Sequence, residues 1–349
     1  MTSTARERLP LSAAESSLIM AIRERMTRSP RQLNNAFEAD AELLDLGAAG
    51  LLAVTVDTLN DGAELATATT PYAKGWLTTT VSVSDLAAVA ADPVAVLISC
   101  SLRPDSWTLE EAREFGRGAS EAAERYGCHI VGGDTNWANE ESFTSCALGT
   151  VPRESILNRM GARPGDALYV TGPIGAGNAV GFRALALGGT GAGEPWLPEA
   201  RVTACEPLRR YARACIDTSD GLLSAAVSLA EVNGLGAEVM LHDEVYAPIV
   251  SAVADSAGLP RWCSAAAEWG EFELLYAIDP ADAQACSQAL TQQGLRPFHV
   301  GHLVAGPELL MVDESGQRRE LRNLLTRMRA LDPAGSLLTD LRALLAEGS

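Results

Sequence analysis

The chain has 349 residues, 47% of them apolar, and a formal charge of −18. That length suggests two domains with cores of their own, and the acidic balance excludes a nucleic-acid surface built on clustered Lys and Arg. No apolar run approaches membrane-spanning length, and the polar stretch from Met1 to Pro10 shows no signal peptide. Seven scattered cysteines without a CxxC pair favour a reduced cytoplasm over a disulfide framework or a zinc site. An acidic protein still binds nucleotides when divalent cations bridge carboxylate to phosphate.

In chain order, residues 1–12 read as a polar lead, and Ser16 to Arg28 has helical spacing ended by Ser29-Pro30. Phe37 to Leu44 mixes acidic and apolar residues. Leu51 to Val56 is a buried-strand pattern that stops at Asp57. A polar residue at a strand end is a common place for chemistry in α/β folds, and a turn-forming Asp is just as common there. Trp76 to Ala90 predicts a helix with Asp85 inside it. An Asp among Val, Leu and Ala is costly if buried unpaired, so it is either exposed or turned toward a metal. Asp92-Pro93 breaks that helix, Val94 to Ser101 is the next strand, and Leu109 to Tyr126 is an amphipathic helix. Ile130-Val131 then leads into Gly132-Gly133-Asp134-Thr135, a third carboxylate just after a strand. Its paired glycines allow close approach to a ligand or a tight turn. Ser142 to Val151 is another strand.

A domain boundary is expected between Pro152 and Pro164. Beyond it, Ala167 to Gly172 reads as a strand feeding the turn Pro173-Ile174-Gly175-Ala176-Gly177-Asn178. That turn is neither a Walker A motif nor a clean GxGxxG, and either cradles phosphate or simply turns the chain. Leu208 to Ala214 is predicted helical and feeds Ile216-Asp217-Thr218-Ser219-Asp220-Gly221. There, two carboxylates stand three residues apart with a hydroxyl between them, before an apolar helical run. Ser219 or Asp220 can cap the helix, or the open N–H groups can take an anion; the residues alone leave both open. Later strands are expected at Glu238–Leu241, His299–Leu303 and Leu309–Val312, the stretch from Trp269 to Tyr276 starts at a turn and runs into a strand, and helices are expected at Ala281–Gln293 and in the tail from Leu321 to Glu347. The histidines at 129, 242, 299 and 302 are not at metal spacing, and Trp137 stands out because it closely follows Gly132-Gly133-Asp134-Thr135.

Six motifs share one order: Val56-Asp57-Thr58-Leu59, Ser84-Asp85-Leu86, Gly132-Gly133-Asp134-Thr135, Asn158-Arg159-Met160-Gly161 with Tyr169-Val170-Thr171-Gly172, Asp217-Thr218-Ser219-Asp220-Gly221, and Gly270-Glu271-Phe272-Glu273-Leu274. In this order the chain resembles the thiamine-monophosphate kinases. Their superfamily also holds aminoimidazole ribonucleotide synthetase, selenophosphate synthetase and a hydrogenase-maturation protein. The resemblance implies an α/β (α+β) fold of two PurM-like domains, each a mixed sheet flanked by helices. It divides the chain into a lead and helix (1–30), an ATP- and metal-binding, dimerising domain (31–152), a second domain (153–330) and a helical tail (331–349).

The resemblance also implies an ATP-dependent kinase that uses Mg²⁺ and works as a homodimer on a small-molecule acceptor, while charge, cysteine usage and hydropathy point to a cytoplasmic protein that binds neither nucleic acid nor membrane. Thiamine monophosphate is the default acceptor. A different acceptor on the same ATP site, or a nucleotide-binding protein without catalysis, are the alternatives. Carried over residue by residue, Asp40, Thr55, Asp57, Asp85, Asp134, Asp217 and Asp220 become metal ligands, with Asp57 and Asp220 central to catalysis. Gly133, Asp134, Arg159 and Ser219 become the ATP contacts, and Glu64 and Glu271 fall on the substrate side. Ala39 replaces the first Asp of the family's Gly-Asp-Asp, Glu64 stands where a histidine is usual, and an Asp is missing between Glu271 and Phe272. Asn136-Trp137-Ala138 replaces Thr-Arg-Gly, so the departures fall mainly on the acceptor half.

Overall fold

The computed structural model describes residues 19–23, 26–60, 65–185, 187, 196–329 and 337–347. Five strands form the first sheet: β1 (Glu42–Asp45), β2 (Leu51–Asn60), β3 (Asp92–Leu102), β4 (His129–Trp137) and β5 (Ser142–Val151), in the order β1-β2-β5-β3-β4. Only β3 and β4 run parallel. Strands β2 and β5 alternate strictly, with Leu51, Ala53, Thr55 and Leu59 of β2 and Phe143, Ser145 and Ala147 of β5 turned inward. That period of two buries one face and leaves the other open.

Helices α1 (Pro71–Ala88) and α2 (Leu109–Arg125) cover the buried face. Thr70 starts α1 by accepting a hydrogen bond from the Ala73 N–H at 3.1 Å, with Pro71 pre-set for the first turn. Thr108 and Glu111 form a capping box at the start of α2. The two helices touch through glycines: a Cβ on Gly75 would stand 2.0 Å from the Phe115 carbonyl oxygen, and one on Gly118 2.0 Å from that of Tyr72. Helix α1 is buried on nearly every side because it also packs against the second half of the chain.

The second sheet holds β6 (Ala167–Val170), β7 (Ala212–Asp217), β8 (Gly236–Met240), β9 (Leu274–Ile278), β10 (Phe298–Val304), β11 (Leu309–Val312) and β12 (Arg318–Glu320). Their order is β12-β11-β8-β10-β6-β9-β7, and only β8 and β11 are parallel. The helices of this half are α3 (Ala176–Leu185), α4 (Cys205–Tyr211), α5 (Leu222–Val232), α6 (Pro248–Ala257), α7 (Cys263–Ala266), α8 (Ala283–Gln292), α9 (Leu321–Arg329) and α10 (Leu337–Glu347). One sheet face packs around Trp262, Leu222 and Leu229. The other packs around Tyr276, Leu208 and Leu290, and takes in Ala87 and Ala88 from the end of α1. Among the described residues no helix is long and apolar enough to cross a membrane.

Several expectations shift. The strand before Gly132-Gly133 does not end there: β4 runs on through Asp134 to Trp137, held by its register with β3. Residues 212–214 belong to strand β7, not to the helix, because the short α4 stops at Tyr211. As expected, the stretch from Trp269 turns before it enters β9 at Leu274, so Glu271 and Glu273 precede the strand. Helix α6 and strands β1 and β12 were not expected. Of the expected helix Ser16–Arg28, residues 19–23 are helical, and residues 16–18, 24 and 25 lie outside the described residues.

Gly75→Ala should force α1 and α2 apart and destabilise the protein by about 2 kcal/mol, in the range for overpacking. Gly116→Ala, on the exposed side of α2 with nothing within 4 Å of the new methyl, should instead stabilise by up to about 1 kcal/mol. Urea unfolding of the two variants checks the contrast.

Candidate active site

Asp40 precedes β1, Asp85 lies in the last turn of α1, and Asp217 ends β7. A carboxylate oxygen from each meets the others within 4.8 Å. Two halves of the chain and three kinds of local structure thus deliver charge to one point.

Each carboxylate has a partner fixing it. Arg159 forks Asp40, with Nε donating to Oδ2 at 3.1 Å and Nη2 to Oδ1 at 2.6 Å. The Asp40 side chain is 1% exposed and that of Arg159 21%. The Arg159 backbone is pinned as well: its N–H donates to the Glu38 carbonyl, and its carbonyl accepts from Asn233 Nδ2. Thr55 Oγ1 donates to Asp85 Oδ2 at 2.6 Å. Asp217 accepts from Ser84 Oγ on Oδ2 and from Ser219 Oγ on Oδ1, both at 2.8 Å.

Burial, followed by the charges of Asp217, Asp40 and Asp57, pushes the Asp85 carboxyl well above its ordinary value. Burial and then Asp40 push Asp217 up to about 7, against the hydrogen bonds from Ser84 and Ser219. One arginine does not balance three buried carboxylates at this spacing. An all-oxygen donor set of carboxylates and hydroxyls fits a hard divalent cation.

Asp57 stands two residues beyond Thr55 on the same face of β2, and Asp220 is exposed beside Asp217, adding to its charge. These two border the triad. Asp134 does not join it in this chain. It is exposed on the edge strand β4, in register with Ser99, Thr144 and Thr58, on the sheet face opposite Asp57. Asn136 Nδ2 donates to its Oδ2 at 2.6 Å. Gly133 is glycine for a structural reason, since a Cβ would lie 1.7 Å from the Ile98 carbonyl oxygen. Gly132, Gly133 and Asp134 border a cavity of about 430 Å³ against Phe115 and Ala119 of α2. Glu64 lies outside the described residues.

Neither Ser219 nor Asp220 caps α5. The N-cap is Gly221, at φ 85°, with no side-chain cap. The Ser219 hydroxyl is turned to Asp217 instead. The glycine-rich turn after β6 is packing: a Cβ on Gly177 would stand 2.2 Å from the Gly270 carbonyl oxygen.

Glu271 is 3% exposed and its Oε2 has no hydrogen-bond partner. Burial and then Glu273 raise its carboxyl to about 8, against the Gly175 and Gly177 N–H groups. It borders a cavity of about 320 Å³ shared with Trp196, Pro198, Arg201 and Glu273. Arg201 forks Glu273, and Thr171 Oγ1 donates to the same carboxylate at 2.6 Å. The Glu273 carbonyl accepts the Thr218 N–H at 2.9 Å, which ties this cavity to the residue after Asp217. Arg201, Glu273 and Ser84 were not singled out from sequence. Ser84 is visible only as the neighbour of Asp85, and Arg201 sits in none of the six motifs.

Family models for the AIR synthase related protein match in order, the N-terminal domain over residues 38–151 and the C-terminal domain over 163–313. A thiamine-monophosphate kinase of Halobacterium salinarum is 31% identical over 252 residues, 70% of this chain and 83% of the relative. The chain belongs to the AIR synthase related family, in its thiamine-monophosphate kinase branch. The Escherichia coli K12 thiamine-monophosphate kinase is 27% identical over 88% of this chain and 95% of its own. Among solved structures, the Stenotrophomonas maltophilia thiamine-monophosphate kinase superposes with a TM-score of 0.67 at 28% identity, covering 85% of this chain and 96% of that one. AaThiL, solved with AMPPCP and TMP, superposes at a TM-score of 0.73 and 23% identity, over 90% of this chain and 97% of that one, and shows the same two-domain fold.

The raised carboxyls set a pH dependence. A folded-state value above the unfolded one, near 3.9, gives stability that is full at low pH and is lost as pH rises through the folded value. For Asp217 that window runs from the unfolded value to about 7. In chelator, Asp217→Asn should therefore gain stability relative to wild type as pH rises from 5 to 8. Unfolding curves at both ends of the range check the sign.

Proposed function

We propose that the protein is a Mg²⁺-dependent kinase that transfers a phosphoryl group from ATP to thiamine monophosphate, giving thiamine diphosphate. The observation that carries this reading is the Asp40–Asp85–Asp217 triad at the junction of the two halves. Family membership supports it, as does AaThiL, which was solved with AMPPCP and TMP bound.

Asp40, Asp85 and Asp217, with Thr55, would hold the cation, and Asp57 and Asp220 would border it. Mg²⁺, when bound, neutralises triphosphate oxygens and leaves positioning as the protein's main task. Arg159 fixes Asp40, and its side chain, 21% exposed, would reach a phosphate. Ser219 orients Asp217 and stands at the nucleotide side. Gly133 and Asp134 border the cavity against α2, a place for the nucleotide. Glu271, at the end of the second cavity, would meet the acceptor.

The open face of the first sheet supports a homodimer. Val56, Cys146 and Leu97 lie in one cross-strand row there, and Val56 and Leu97 are exposed at 66% and 39%. Val131, on the unpaired edge strand β4, is 61% exposed. A second copy covering this face would bury apolar surface and the open edge together, and would also approach Asp134. All seven cysteines are unpaired, in keeping with a reducing cytoplasm.

A second reading keeps the ATP site and changes the acceptor. The shortened Gly270-Glu271-Phe272 segment, with Glu271 Oε2 unpartnered in its cavity, favours it. Incubation with ATP, Mg²⁺ and thiamine monophosphate decides. The expected result is thiamine diphosphate, with turnover lowered about 100-fold or more in Asp57→Asn and Asp220→Asn. No diphosphate at any Mg²⁺ concentration would rule out this acceptor. A thermal-shift screen of metabolites with an ATP analogue would then find the true one by mass action.

A further inference from the structure

Two buried hydroxyls, one on the helix that carries Asp85 and one on the strand that pairs with Asp57, have no hydrogen-bond partner. They are Ser82 Oγ and Ser145 Oγ, on residues that are 0% exposed. Buried polar atoms in folded proteins are almost always satisfied, so an orphan calls for a cause.

Their positions in the fold supply one. Ser145 pairs directly with Asp57 across the β5–β2 ladder, and both face the helices, as does Thr55. Ser82 precedes Asp85 by three residues, on the same side of α1. The track of α1 over the sheet is fixed at two points. Lys74 Nζ meets Glu141 Oε2 at 2.8 Å, just before β5 begins. Leu86 Cδ1 lies 3.3 Å from where a Cβ on Gly149 would stand, near the other end of β5. Helix α1 therefore runs alongside β5, and Ser82, two-thirds of the way from Lys74 to Leu86, comes over the Ser145 region. The hydrogen bond from Thr55 to Asp85 holds the next turn of the helix over β2.

We propose that Ser82 and Ser145 are positioning residues of the cation site. Their hydroxyls orient a water ligand of the divalent ion on its Asp57–Asp85 side. The inference rests on the cation reading above and adds to it two groups that no carboxylate motif contains. A hard ion of Mg²⁺ type keeps several of its waters, and partners that hold such ligands tune its affinity. The hydroxyls then lack a partner in the protein because their partner arrives with the ion. A hydroxyl buried only for packing would behave differently, since its removal leaves ion binding untouched.

The test is calorimetric binding of Mg²⁺ alone, without nucleotide, to wild type, Ser82→Ala and Ser145→Ala, with melting curves in chelator. Removing an orphan hydroxyl should leave the metal-free protein as stable as wild type or more so. The Mg²⁺ dissociation constant should nevertheless rise about 10-fold. Ser145→Thr, which keeps the hydroxyl on a residue suited to a strand, should stay close to wild type. Unchanged Mg²⁺ affinity in both alanine variants, beside a wild type that binds, would overturn this inference alone. A wild type that takes up no Mg²⁺ would overturn the cation reading and this inference together.

Discussion

Mutual repulsion of three buried carboxylates is the constraint on which the centre of this protein depends. Asp40, Asp85 and Asp217 bring their oxygens within 4.8 Å of one another, with Asp217 buried and the other two residues partly so. Left alone, such a cluster would protonate or push apart. The surrounding structure opposes both outcomes with a forked arginine on Asp40 and hydroxyl donors on Asp85 and Asp217. These supports keep the carboxylates in place without cancelling their charge. The remaining negative potential is what an arriving cation would meet.

The fold makes this arrangement stiff. Helix α1 carries Ser84 and Asp85 on adjacent positions, one reaching the second half of the chain and one the first sheet. The burial of α1 on nearly every side, and its glycine contact with α2, leave it little room to move. Arg159 lies in the connection between the two sheets, yet its backbone bonds to Glu38 on one side and Asn233 on the other. A change in how the halves sit would thus reach the triad through three separate links. The second cavity is coupled to the same point, because Glu273 and Thr218 share backbone and side-chain hydrogen bonds.

Much of this was legible in the residues. The strand of β5 and the late strand β11 follow their apolar patterns to the residue. Asp85 within an apolar helix reads as either exposed or turned toward a metal, and the structure sets it against Thr55 beside Asp40 and Asp217. What stayed hidden depended on pairing over long distances. Gly132-Gly133 reads as a tight turn or a close approach to a ligand until register with β3 shows an edge strand in which Gly133 is packed too closely for a side chain. Asp134 reads as one more ligand until the same register turns it to the far face. Ser219 reads as a helix cap, but its hydroxyl donates to the Asp217 carboxylate and Gly221 stands at the N-cap. Arg201 and Ser82 belong to no motif, and only their partners, or the lack of one, single them out.

The most direct measurement is Mn²⁺ uptake, followed by loss of the free-ion electron paramagnetic resonance signal, in wild type and in Asp40→Asn, Asp85→Asn and Asp217→Asn. The expected result is binding by wild type and loss of the tight site in all three variants, although their carboxylates come from different halves of the chain. Uptake by the three variants equal to that of wild type would contradict a cation site built on this triad.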